Sequence, residues 1–316
     1  MRPATRIVAI DRYRGALVWL MVAGNHLGGV EAVPDVIKHT PDIGLSVADL
    51  VAPAFVFAMG LGYGDSFRRR RLADGAGAAY RHFLLRYLAL LGIGALLSAG
   101  GTVVGQPSTW GVLQALGEAG LVALLVIRFG IAVRLAAGIA LLIGYQLVLD
   151  HGGLGTVLTT VQGGFLGGLS WGALLILSTA VADLWRRHGL AALAVASGGA
   201  AAVAIISLLL VPISKNRVSL SYVLVTLAVA AVAFLLTVLG SRLVRDRPGY
   251  LAWWGENPLV LYLAHLLLLA LVVLPPAEWW YAGAPLWLAA VQLVAIMTIM
   301  SLIAWWLHRR RMLVEL

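Results

Sequence analysis

His39 and Asp49 stand ten residues apart, where a polar stretch gives way to a long apolar run, and their types are those of acid–base chemistry. An imidazole changes charge near neutral pH, so His39 can act as a general base, and a neighbouring carboxylate can orient it. Asp49 has a second reading. Ser46-Val47-Ala48-Asp49 has the spacing of a helix capping box, with Ser46 as N-cap and Asp49 reaching back. Both roles can hold at once. Asn25 and His26 end the preceding apolar run, and Lys215 lies in a later polar loop. Each of these three can donate to a developing oxyanion. The competing readings are hydrogen bonds between helices for Asn25 and His26, and an ordinary polar turn for Lys215.

A second set of polar residues sits within or beside apolar runs. Asp11 and Arg14 are three apart and can pair on one helical face. Arg86 either snorkels to the surface or binds phosphate, and Arg68 to Arg71 form a basic stop that can also meet an anionic cofactor or lipid headgroups. Gln114 and Glu118 are four apart inside an apolar run, a costly place for a carboxylate. Asn257 is a natural N-cap with Pro258 after it, and Tyr262 and His265 share a face one turn on. Cysteine is missing from the sequence, which excludes disulfides and thiolate chemistry, and no metal-ligand spacing is present.

The elements that position these groups follow from composition. Of 316 residues 61% are hydrophobic and 12% charged, about half the charge of a soluble domain, so the chain reads as an all-α integral membrane protein. Ten apolar segments mark about ten transmembrane helices, roughly 14–32, 46–67, 80–99, 109–128, 131–149, 163–184, 189–211, 218–240, 257–274 and 285–307. The first is expected to be retained rather than cleaved as a signal peptide. Pro53 is expected to bend the second within its second turn. With both termini cytoplasmic, 20 of the 23 Lys and Arg fall on the inner side, leaving Lys38, Lys215 and Arg217 outside. That asymmetry accounts for the net charge of +9 without nucleic acid as a partner. The whole chain, 1–316, reads as one polytopic domain, and GGFLGG at 163–168 reads as a close-packing face that could serve a homodimer.

Five motifs in order resemble one family. Arg6-x-x-x-Ile10-Asp11-x-x-Arg14-Gly15, then Asn25, is similar to the first helix of the heparan-alpha-glucosaminide N-acetyltransferase family. His39-(x)4-Gly44-Leu45-Ser46-Val47-Ala48-Asp49-Leu50-Val51-x-Pro53 resembles its most distinctive motif. Gly111-Val112-Leu113-Gln114, Pro212-Ile213-Ser214-Lys215-Asn216 with Ser219, Ser221 and Tyr222, and Asn257-x-Leu259-x-x-Tyr262 with His265 resemble three more. The departures are Ala115 where the family has Arg, Glu118 where an apolar residue is usual, and Val218 in place of Trp.

The resemblance implies a bacterial-type membrane acyltransferase that takes acetyl groups from cytosolic acetyl-CoA and passes them to an amine or hydroxyl of a sugar or small-molecule acceptor. It makes His39 the active-site residue, and on that footing His39 is expected to act as general base or transient acyl carrier, with Asp49 orienting it and Asn25, His26 or Lys215 stabilising the oxyanion. Arg14 and Arg86 then hold CoA phosphates, and Gln114, Asn257, Tyr262 and His265 line the donor's route. The expected location is the plasma membrane, among its lipids. The competing class is a transporter or flippase whose pathway the same polar residues line.

Overall fold

The computed structural model describes residues 7–103, 110–244 and 249–314. Arg2, Arg6, Arg245 and Arg247 of the charge pattern lie outside the described residues. The described residues are helical, with one isolated antiparallel bridge, Ile43 to Ser214, as the extended pairing. The longer helices are α1 (Val8–Leu27), α2 (Val51–Asp74), α3 (Ala76–Val103), α4 (Val112–Leu124) and α5 (Ile131–Val148). After the short α6 (Leu154–Leu158) come α7 (Gly164–Leu208), α8 (Leu220–Leu243), α9 (Tyr250–Glu256), α10 (Pro258–Val273) and α11 (Leu286–Arg309).

Six of the described helices are long and apolar enough to cross a membrane, or seven if α9 and α10, which meet at 91°, form one broken span. The difference from ten has physical sources. Helix α1 carries Asp11, Arg12 and Arg14 in its first turns, and α4 has only 13 residues, short of the ~20 needed to span. Two sequence segments are joined in α7, and the chain breaks between them as expected, at Gly189 (φ 75°) just after Arg186 and Arg187. Pro53 does not fall in a second turn. Helix α2 begins at Val51 behind a 3₁₀ turn at Ala48–Leu50, so the proline occupies the first turn, where its missing N–H has no helical partner to lose.

The chain divides into two compact units, each discontinuous in sequence. The first holds the described residues of Met1–Thr40, Ser46–Val51 and Leu236–Glu315. Its frame is α1 against α9, with α10 and α11 packed on both. Backbones touch where α1 meets α9. A Cβ added to Gly15 would land on the Leu251 carbonyl oxygen, and one added to Gly255 on that of Asp11. Small residues permit such an approach between apolar helices. Gly15→Ala or Gly255→Ala is therefore expected to destabilise by about 1–3 kcal/mol through overpacking. Gly240→Ala, which meets nothing within 4 Å, should be neutral or slightly stabilising. Thermal denaturation of the three variants in detergent checks the contrast. Above this frame, Val30, Val33, Ala284, Leu288 and Ala289 form a buried cluster against which Leu27, Ile37, Trp280 and Tyr281 pack. It anchors the loop that leads to His39.

The second unit holds the described residues of Pro41–Leu45 and Ala52–Leu235. Helix α4 packs between α3 and α7, and α5 lies on α7. Tyr63 of α2 stacks on Phe83 of α3 at 4.9 Å and donates to the Gly120 carbonyl of α4 at 2.9 Å, joining three helices. The GGFLGG stretch has two uses here. Gly163 and Gly164 adopt positive φ (76° and 57°) to turn the chain into α7. Gly168 leaves room for the Glu118 carboxyl, which a Cβ at that position would overlap. The face at Gly168 is thus filled from within the chain.

Candidate active site

The loop before α2 folds back so that His39 meets Asp49. Nδ1 of His39 lies 2.7 Å from Oδ1 of Asp49. Asp49 is 0% exposed, whereas the His39 side chain keeps 54% of its surface open. The other carboxylate oxygen, Oδ2, accepts from the Ser46 N–H (3.1 Å), the Ser46 hydroxyl (3.0 Å), the Thr40 N–H (3.3 Å) and the Thr40 hydroxyl. Five donors around two oxygens make the environment of a carboxylate. The Asp49 N–H returns a bond to the Ser46 hydroxyl at 3.4 Å, completing the capping box. One side chain therefore both caps the entry to α2 and holds the imidazole. A carboxylate on Nδ1 fixes that nitrogen as the protonated one, so Nε2 carries the lone pair. Thr40 was not singled out from sequence. Its only signal was its place next to His39.

The other residues of this unit form separate contacts. The Asn25 amide donates to Nε2 of His265 at 2.8 Å, and the Tyr262 ring meets the His265 ring at 5.3 Å, as the i, i+3 spacing implied. His26 is 1% exposed. Its Nε2 donates to the Ala289 carbonyl (3.2 Å), its own carbonyl accepts from the Tyr281 hydroxyl (3.0 Å), and the two rings lie 5.6 Å apart. It holds α1 to α11. Arg14 and Asp11 pair at 3.9 Å. Asn257 sits at the bend between α9 and α10, where its amide donates to the Met312 carbonyl (2.9 Å) and accepts from the Val314 N–H (2.8 Å). The C-terminal segment is thus strapped to that bend.

Three candidates belong to the second unit. Gln114 accepts from the Gly111 N–H at 2.9 Å and donates to the Ser98 hydroxyl at 2.9 Å, capping its own helix and tying α4 to α3. Arg86 is half-buried, with its Nε without a hydrogen-bond partner. Lys215 is 7% exposed in the 212–219 loop. That loop pairs with Pro41–Leu45. The Gly44 N–H reaches the Ile213 carbonyl (2.9 Å), and Asp42 accepts from the Ser214 hydroxyl (2.7 Å) and from Arg217 Nε (2.9 Å). Val218, fully buried, adopts φ 49°, a strained conformation for a β-branched residue, while its carbonyl accepts from Ser170.

The hydrogen bonds from Arg217, then that from Ser214 and the Arg217 charge, hold the Asp42 carboxyl below its ordinary range, outweighing the opposing effect of burial. A carboxyl whose folded-state value is depressed stabilises fully above its unfolded value and loses that contribution as pH falls through the folded value. The clasp is therefore expected to hold at neutral pH and to loosen only below about pH 4. Hydrogen exchange at Gly44, corrected for intrinsic rates, checks this, and Asp42→Asn should show the acid behaviour at pH 7.

Sequence reading also missed a basic cavity in the second unit. Phe67, Arg68, Arg71, Ile127, Arg128, Phe129, Gly130, Arg134, Asp183 and Arg187 enclose about 120 Å³. Asp183 accepts from Arg134, and from Arg68 at 3.1 and 3.0 Å. The lone acid at the end of an apolar run was the available signal.

The sequence model of the family "Heparan-alpha-glucosaminide N-acetyltransferase, catalytic" matches residues 6–167, 162 of the 316. The match carries the first helix, the His39–Asp49 pair and the Gln114 motif, and the chain belongs to this family of membrane acetyltransferases. None of the curated proteins compared with it matches.

Proposed function

We propose that the chain is an acyl-CoA-dependent acetyltransferase of a bacterial plasma membrane, with His39 at its reaction centre. The observation that carries this reading is the exposed His39 imidazole held through Nδ1 by a buried carboxylate. In this reading Nε2 takes the proton of an acceptor amine or hydroxyl as its nitrogen or oxygen attacks the acetyl thioester carbon. The C–S bond breaks and the proton passes to the leaving CoA thiolate. The same nitrogen is the one to carry the acetyl group if transfer proceeds through an acyl-imidazole. Asn25 is the oxyanion donor we favour, through the second N–H of an amide whose first is held by His265. Among the described residues its carbonyl oxygen has no bond to a backbone donor, whereas those of Gln114 and Asn257 do, and His26 is buried and bonded to Ala289. A sugar or a sugar-like small molecule is the acceptor.

Ten spans with both termini inside would put His39 at the outer end and acetyl-CoA at the inner. A spanning helix of ~20 residues is ~30 Å long, so the pantetheine arm threads between helices or the acetyl group is relayed. Arg14 and Arg86 are the cations proposed for the CoA phosphates, with Tyr262 and His265 on the route. Gln114 and Asn257 enter this proposal as supports, since their amides are engaged within the chain.

The test is to incubate purified protein with radiolabelled acetyl-CoA and a panel of amino sugars, sugar alcohols and small amines. Label should move to at least one acceptor class. One observation favours a second reading. The 91° break at Asn257 resembles the discontinuous helices of transporters. Neither CoA binding nor transfer to any acceptor, with solute movement in proteoliposomes, would establish that reading instead.

A further inference from the structure

The basic cavity of the second unit is not used by the chemistry proposed for His39, and it has the construction of an anion site. Its floor is the ion pair of Arg134 and Asp183, each 2% exposed. Asp183 accepts from Nη2 of Arg134, while Nε and Nη1 of the same guanidinium are buried without a hydrogen-bond partner. These donors are closed off from the cavity, so the guanidinium acts on it through its charge rather than by direct contact. The rim is Arg71, Arg128 and Arg187, all exposed, with Arg68 half-buried between rim and floor. Five arginines against one aspartate leave four positive charges around one space. Gly130, the N-cap of the 18-residue α5, is also on the wall, so the first-turn N–H groups and positive end of that helix add to the field.

The size fits a small anion. About 120 Å³ is the share of roughly four waters at ~30 Å³ each. Guanidinium groups match phosphate oxygens in pairs, and several around one cavity favour phosphate over a carboxylate. Phe67 and Phe129 line the same space, so an apolar group attached to the phosphate would also find contact.

We propose that this cavity binds the phosphate group of a phosphate ester, clasped by Arg68, Arg71, Arg128 and Arg187 above the buried pair of Arg134 and Asp183. Two sources share that chemistry, the headgroup of an anionic phospholipid and a soluble phosphate ester.

The test uses the full chain, purified in neutral detergent and stripped of lipid. Binding is measured for inorganic pyrophosphate, for ADP, and for nanodiscs of phosphatidic acid in phosphatidylcholine against phosphatidylcholine alone. Arg134→Gln risks the fold, because it leaves Asp183 with Arg68 alone. The working variant is therefore Arg71→Gln/Arg128→Gln/Arg187→Gln, confined to exposed residues. Each lost charge-assisted contact should weaken binding about tenfold. Arg309→Gln/Arg310→Gln/Arg311→Gln removes the same charge from another exposed run and should leave binding intact. Pyrophosphate or ADP binding that the rim variant loses assigns a soluble ester. Selective binding of phosphatidic acid nanodiscs that the rim variant loses assigns a lipid. Absence of binding in every arm overturns the proposal, as does equal weakening by the two triple variants, which would mean bulk charge alone. The readout is binding rather than turnover, so the result stands apart from the acetyltransferase reading.

Discussion

Replacing His39 by alanine is expected to leave the protein folded and to lower acetyl transfer about 10²–10⁴-fold, the usual contribution of a positioned base. Folding survives for two reasons. The side chain is more than half exposed, so little burial is lost. Asp49 also keeps the Thr40 and Ser46 donors, so no carboxylate is stranded. Binding of CoA should be unchanged, because in the proposed mechanism the ring acts on the acetyl group and the acceptor. Single-turnover transfer, equilibrium CoA binding and thermal denaturation measured on the same preparation check all three points. A fully active His39→Ala protein would refute the assignment. Asp49→Asn separates positioning from chemistry. It keeps the shape but turns an N–H₂ toward the donors of Ser46 or His39, so both stability and turnover should fall while His39 remains present.

Removing Asp183 should cost far more in stability than any exposed ion pair. Asp183→Ala leaves the Arg134 guanidinium charged and buried without its partner, a change worth about 3–5 kcal/mol. Arg68, 41% exposed in its side chain, can turn toward solvent or to Asp65, which is already 3.7 Å away. Arg134 has no such escape at 2% exposure. The sign of the effect can be tested by removing both charges. Arg134→Met/Asp183→Leu is expected to recover most of the loss, since a buried pair replaced by apolar groups is often neutral. Detergent thermal denaturation of the wild type, the single and the double variant forms the cycle. A double variant less stable than Asp183→Ala would contradict the account. Asp65→Ala, among the more exposed arginines of α2, should shift stability by no more than about 1 kcal/mol.

Much of the helical architecture could be read from the chain, because apolar runs and arginine clusters obey simple physics. The capping box at Ser46 and Asp49 and the shared face of Tyr262 and His265 also follow from spacing, and their geometry matches. The count falls short of ten at α1, whose first turns carry three charges, and at α4, which stops after 13 residues. The divisions near Gly189 and at Asn257 are legible in the sequence, one from Arg186 and Arg187 between two apolar runs and the other from Asn257-Pro258, and the chain breaks at both. The 91° angle of the second break carries no signal in hydropathy. Within the site, polarity at depth marks Gln114, His26 and Asn257 as chemical candidates, and the structure adds their contacts with Ser98, Ala289, Met312 and Val314, while Nδ1 of His26 keeps no hydrogen-bond partner among the described residues. Which polar group is engaged depends on partners up to 263 residues away, and spacing along one helix cannot supply them. Arg134 and Asp183, 49 residues apart, escaped notice for the same reason.

Asp49 serves two masters, and this makes its neighbourhood a natural probe of what selection acts on. Every substitution there damages the start of a helix and the aim of an imidazole together, whereas every substitution at His39 damages the aim alone. In a library of variants sorted first by abundance and then by turnover, position 49 should be depleted at the first sort. Position 39 should pass it and be depleted at the second. Two residues ten apart, joined by one 2.7 Å hydrogen bond, thus fail at different stages of the protein's life. The ranking between them reads folding and chemistry as separate pressures on a single loop.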